Sequence, residues 1–152
     1  MQPIFRTLIT SLVLTLAAGT SAALAETNTP SADLSTDVNF ISAKQAIAAK
    51  DWENAVYRLK YVKVDEAEVF NLTGYANRKL GRMDEAFRNY KIALDKDPNH
   101  RGAHEYVGEA YLLVNNLSMA EQHLAALDRI CGKTCEEYKD LAREIAEFKK
   151  KK

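Results

Sequence analysis

The chain has 152 residues, enough for one domain beside a removable leader, and its 47% hydrophobic content is ordinary for a globular protein. Its 21 basic and 21 acidic residues cancel, so no net field draws it to nucleic acid or an anionic bilayer. Nucleic acid is set aside as a partner on this ground.

The first segment, residues 1–25, reads as an export signal. Arg6 supplies the positive charge, residues 7–19 are mostly apolar, and Ala23-Leu24-Ala25 provides the small residues that precede a cleavage point. The mature chain is then expected to begin at Glu26, with 20 basic against 21 acidic residues. An anchor left uncleaved is the alternative, but the apolar run is short for a bilayer span, so no membrane insertion of the mature chain is expected. The expected destination is an oxidising compartment, which for a bacterial protein is the periplasm. Residues 26–36 are polar, carry Pro30 and lack apolar periodicity, which predicts a flexible lead-in.

From residue 37 to 148 the only proline is Pro98 and apolar residues recur at three and four. That spacing predicts an all-α domain over residues 37–150. Laid against itself, the chain repeats: Gly74 and Gly108 lie 34 apart, as do Ala86 and Ala120, and LTGYANRKLGRMDEA aligns without a gap with YVGEAYLLVNNLSMA. A fixed period of this length means stacked helical hairpins. Gly74 and Ala86 are expected to nest against each other. Phe70, Leu72, Phe87, Tyr90 and Leu94 are expected to form one hairpin core, and Tyr106, Tyr111, Leu124 and Leu127 the next.

Residues 67–99 resemble a tetratricopeptide repeat, with Phe70, Gly74, Gly81, Ala86, Tyr90, Ala93 and Pro98 at the family's positions and departures at Thr73 and Asn77. The next repeat keeps Gly108, Tyr111 and Ala120, with His104 for an aromatic and Asn115 for the turn glycine. Asparagine tolerates the left-handed conformation that such a turn needs. Upstream, Ala43, Ala46, Trp52, Ala55 and Leu59 fit a degenerate repeat, and the 31-residue step from Ala55 to Ala86 shortens the connection near Asp65.

The resemblance implies a right-handed superhelix of antiparallel hairpins over about 37–66, 67–100 and 101–132. It also implies a protein or peptide partner in a groove lined by the first helices. By register the groove candidates are Lys44, Asn71, Tyr75, Arg78, Lys79, Glu105, Glu109, Leu112 and Leu113, basic at one end and acidic at the other. Their alternative reading is a solvated surface in which Arg78 pairs with Glu109. The family's full carboxylate-clamping set of Asn, Lys and Arg is not present.

A stack of hairpins needs a cover at its end, and residues 135–150 are expected to supply it. Thr134 and Glu137 have capping-box spacing, and Tyr138, Leu141, Ile145 and Phe148 form one apolar stripe. The alternative is that this stripe meets a partner or second copy. The Lys149–Lys152 run reads as a solvated helix end.

Cys131 and Cys135 flank the corner before that helix. A structural disulfide is the first reading; it closes a short loop and contributes about 2 kcal/mol on the chain-entropy model. The other is a reactive Cys135, its thiolate favoured by a helix start and by Lys133. The spacing is not the C-x-x-C of thiol oxidoreductases, and zinc would need two more ligands. His104 is expected to pack in place of the aromatic and His123 to sit on a polar face. No nucleophile and base, phosphate loop, metal site or cofactor motif emerges. The sequence thus points to a non-enzymatic interaction scaffold of the cell envelope, with a thiol-active helper and a self-associating envelope protein as competing classes.

Overall fold

The computed structural model describes residues 33–151. The predicted leader and most of the lead-in therefore lie outside the described residues. A 3-10 turn, Leu34–Thr36, precedes seven helices: α1 (Val38–Ala48), α2 (Trp52–Leu59), α3 (Ala67–Lys79), α4 (Met83–Lys96), α5 (Arg101–Leu113), α6 (Leu117–Cys131) and α7 (Glu136–Lys150). Consecutive helices pair into three hairpins and α7 packs on α5 and α6. The architecture is an all-α helical-repeat superhelix, with no strand among the described residues. None of these helices is long and apolar enough to cross a membrane.

The last residues of the segment expected to be a flexible lead-in form a turn. Asp33 accepts a hydrogen bond from the Ser35 N–H at 2.8 Å, and Leu34 packs against the cluster of Phe40, Ala43, Leu59, Val69 and Leu72. Asp37 then starts α1 by accepting from the N–H groups of Asn39 and Phe40, while its second oxygen accepts from the Lys63 N–H at 3.0 Å. The Lys63 bond leads in holding this carboxyl below its ordinary pKa. One side chain thus caps a helix and ties its start to the segment leaving α2.

The hairpin turns share one device. Lys50, Gly81 and Asn115 have φ of 58°, 75° and 61°. Each immediately precedes the N-cap position of the second helix, Asp51, Arg82 or Asn116, of which Asp51 and Asn116 accept a capping hydrogen bond. The left-handed residue reverses the chain; glycine adopts it freely, asparagine tolerates it, and lysine adopts it against its steric preference.

The side chain nearest Gly74 is that of Tyr90. A Cβ at Gly74 would lie 2.7 Å from the ring of Tyr90, one helical turn beyond Ala86, and Tyr90 is wholly buried. Ala86 joins Tyr90 in a cluster with Val107 and Ala110 of α5, partly covered by Phe87, Leu94, Tyr106 and Tyr111. Leu72 leaves its expected hairpin core and packs on α1 and α2.

The apolar stripe of α7 is covered. Leu141 and Ile145 are buried with Leu112, Ala120 and Leu127, and Tyr138 and Phe148 flank them. The Thr134–Glu137 capping box does not form: the N-cap is Cys135, with no side-chain cap bond, and Glu137 faces Arg101 at 3.4 Å. Thr134 stands one residue too early in the chain to cap a helix that begins at Glu136. Gly132, with φ of 75°, ends α6. A bridge joins Cys131 to Cys135 across the corner, with Cα atoms 5.9 Å apart.

Candidate functional site

The first helices α3, α5 and α7 lie side by side. Asn71, Glu105 and Asp140 are each the fifth residue of their helix, and Glu68, Gly102 and Glu137 are each the second. Equivalent positions on neighbouring parallel-stacked helices come together, so these six residues line one open cleft of about 600 Å3. Asp97, His100, Arg101, Tyr106 and Glu136 also border it. Gly102 leaves room at its centre, since a Cβ there would lie 3.2 Å from Asn71 Nδ2.

The cleft floor is tied by shared acceptors. Asn71 Nδ2 donates to Glu68 Oε2 at 3.0 Å, and His100 Nε2 lies 3.1 Å from the same oxygen. His100 Nδ1 accepts from the Ala103 N–H at 3.2 Å, which caps α5 and assigns the proton to Nε2. The hydrogen bond to Glu68 raises the His100 pKa above its ordinary value. Asn71 is 2% exposed, yet its Oδ1 has no hydrogen-bond partner. A buried acceptor left in this state costs about 1–3 kcal/mol. Glu105 has neither an ion pair nor a hydrogen bond among the described residues. Burial first, then Glu109, Asp140 and Glu137, push its carboxyl up to about 7.

Beside the acids runs an aromatic row. Trp52 meets Tyr75 edge-on at 5.7 Å between centroids, and Tyr75 meets Tyr106 at 4.7 Å. The Arg78 guanidinium lies 5.4 and 5.7 Å from the two tyrosine rings and pairs with Glu109 at 2.6 Å. Burial drives the Tyr106 hydroxyl up to about 12, so both tyrosines of the row present neutral hydroxyls.

The expected groove residues divide by helix position. Lys44 and Lys79 are exposed, with ammonium groups over Phe40 and Tyr75 at 5.9 and 5.2 Å. Leu113 is 61% exposed, next to exposed Val114. Tyr75, Glu105 and Glu109 are half-buried. Three residues do not offer the open side chains the register implied. Arg78 and Leu112 are both the twelfth residue of their helix and both are buried, because that position faces the neighbouring hairpin. Arg78 is consumed by Glu109, and Leu112 packs under Leu127 and Leu141. Asn71 lies in the cleft floor rather than on its rim.

Sequence reading missed Glu68, His100, Tyr106, Glu136, Glu137 and Asp140. The available signal was the register of helix starts: α3, α5 and α7 begin at residues 67, 101 and 136. Reading α7 only as a cover hid the polar face it adds beside its apolar one. Of the histidines, His104 packs inside as expected and His123 departs from expectation. His104 is buried, its Nε2 donates to the Pro98 carbonyl at 3.0 Å, and its Nδ1 therefore accepts from His123 Nδ1 at 2.9 Å. His123 is no solvated face residue, since it stacks on Tyr111 and burial lowers its pKa to about 4. Cys131, Cys135 and Glu137 form the one close grouping of three potential ligands among the described residues, but a bridged pair has no thiolate to give a metal.

Neither a family model nor a curated protein sequence matches the chain. Among solved structures, it is similar to the TPR2B domain of yeast Sti1 in its pHsp70 complex. The TM-score is 0.66 at 19% identity, over 75% of this chain and 95% of that one. Helix order, hairpin turns and this likeness agree, and the fold of the chain is tetratricopeptide-repeat-like.

Proposed function

We propose that this protein is a non-enzymatic adaptor of the bacterial cell envelope, exported to the periplasm, that holds an extended segment of a protein partner on the face of α3, α5 and α7. The observation that carries this reading is the register of Asn71, Glu105 and Asp140, which repeats one cleft position on three adjacent helices beside the Trp52–Tyr75–Tyr106 row. A continuous face of that kind suits a chain more than a compact substrate. The yeast Sti1 domain, solved in a complex with pHsp70, supports a peptide or protein as the occupant.

A second reading is a thiol-active helper, favoured by the place of Cys135 at the N-cap of α7. Crosslinking in native cells separates the two. The adaptor reading expects a prey held by the parent and by Cys131→Ser/Cys135→Ser, and lost from Lys44→Glu/Lys79→Glu. Loss with the cysteine pair alone would favour the thiol reading. N-terminal sequencing of the periplasmic fraction tests export, with Glu26 as the expected first residue.

A further inference from the structure

Resting on the adaptor reading, we infer that the cleft between α3, α5 and α7 is a subsite for a basic side chain, lysine or arginine, of the bound protein segment. Six acids border it, Glu68, Asp97, Glu105, Glu136, Glu137 and Asp140. Some are answered within the protein: Glu68 by His100, Glu137 by Arg101 and Asp140 by Arg143 at 2.7 Å. Glu105, at the middle of the row, has no ion pair or hydrogen bond among the described residues, and the nearby Arg78 charge that acts on it is already paired with Glu109. Local charge alone would not define a ligand, because acids commonly face water.

The second observation is at the floor. Asn71 is buried, its amide nitrogen is already used by Glu68, and its carbonyl oxygen is an acceptor with no donor. A group that enters with N–H donors and positive charge satisfies both deficits at once, the orphan oxygen and the unanswered carboxylate. An anionic chain end would do neither. The carboxylates also fail to converge: no three of them bring oxygens within 4.8 Å of one another among the described residues. That spread suits an ammonium or guanidinium, which hydrogen-bonds outward in several directions, better than a divalent cation, which needs oxygens gathered on one point. The neighbouring tyrosine row gives the methylene stem of such a side chain an apolar wall.

The test is fluorescence anisotropy of the full chain with an acetylated, fluorescein-labelled tetralysine peptide, beside tetraglutamate and calcium chloride. Tetralysine is expected to bind, more weakly as sodium chloride rises. Glu105→Gln/Asp140→Asn should weaken it about tenfold, as removal of charge-assisted hydrogen bonds does. Asn71→Leu should weaken it as well, its circular dichroism melt confirming a folded protein. Tetralysine affinity unchanged in Glu105→Gln/Asp140→Asn overturns the inference. So does calcium binding that this variant abolishes while tetralysine fails to bind. Tetraglutamate bound in preference, and lost from Lys44→Glu/Lys79→Glu, overturns the inference and leaves the adaptor reading standing. The adaptor reading itself fails if the cellular prey is indifferent to every one of these variants.

Discussion

The two hairpins that the 34-residue period superimposes put the same glycine to different use. Gly74 on α3 makes room for Tyr90 on α4, its own hairpin partner. Gly108 on α5 makes room for Leu141 on α7, the next first helix along. The position equivalent to Tyr90 is Leu124, a smaller side chain that is only half-buried. Without an aromatic ring filling the space from within, the gap at Gly108 admits the closing helix. One small residue can therefore hold a hairpin together or join it to its neighbour in the stack, and the filler opposite decides which.

The strongest way to break this comparison is to cut what joins the hairpins across α3 and α5. Arg78, with its side chain 6% exposed, and Glu109 form a buried pair. Arg78→Ala leaves Glu109 without its cation and Tyr75 and Tyr106 without their common neighbour. It is expected to lower unfolding stability by about 3 kcal/mol in urea titrations, in the range for breaking a buried pair. A loss near zero would mean that the two hairpins hold together without it.

Alanine at each glycine sharpens the contrast. At Gly74 the added carbon meets a rigid, wholly buried ring, so Gly74→Ala is expected to cost about 2 kcal/mol even after the gain in helix propensity. At Gly108 it meets the flexible end of Leu141. Gly108→Ala is expected to cost less than about 1 kcal/mol, with faster amide exchange confined to α7 and its contacts. Equal losses, or exchange spread over α3 and α4 for both variants, would erase the distinction.

The smallest expected effect concerns the cleft beside Gly108. Glu105 faces Glu109 on its own helix, Glu137 and Asp140 on α7, and Arg78 on α3, and burial with the three acids pushes its carboxyl up to about 7. Between the unfolded value near 4.5 and about 7 the folded chain holds more protons at this group than the unfolded chain does. This group therefore lowers stability as pH rises through that window. Glu105→Gln removes the effect, so thermal melts should show the variant more stable than the parent at pH 8, the difference shrinking toward pH 5. A pH-independent difference would sever the link between Glu105 and its acidic neighbours.

Much of the fold was legible because its causes are local. Apolar spacing of three and four, the 34-residue step from Gly74 to Gly108 and the left-handed Asn115 fixed helix, repeat and turn without reference to distant contacts. The cleft was legible only in part. Glu105 could be placed by register, but that Asn71 and Arg78 would be buried depends on which neighbour closes over them.

By itself the sequence determined that helices form, where they turn and how often the pattern repeats, since backbone conformation and amphipathic spacing are set within a few residues of chain. Only tertiary structure decided that Gly74 takes Tyr90, that Gly108 takes Leu141, and that Glu105 and Asp140 share a cleft with an unanswered oxygen of Asn71. Those outcomes depend on how one helix is rotated and shifted against the next. Side chains from all three hairpins and α7 set that rotation together, and no short stretch of sequence contains it.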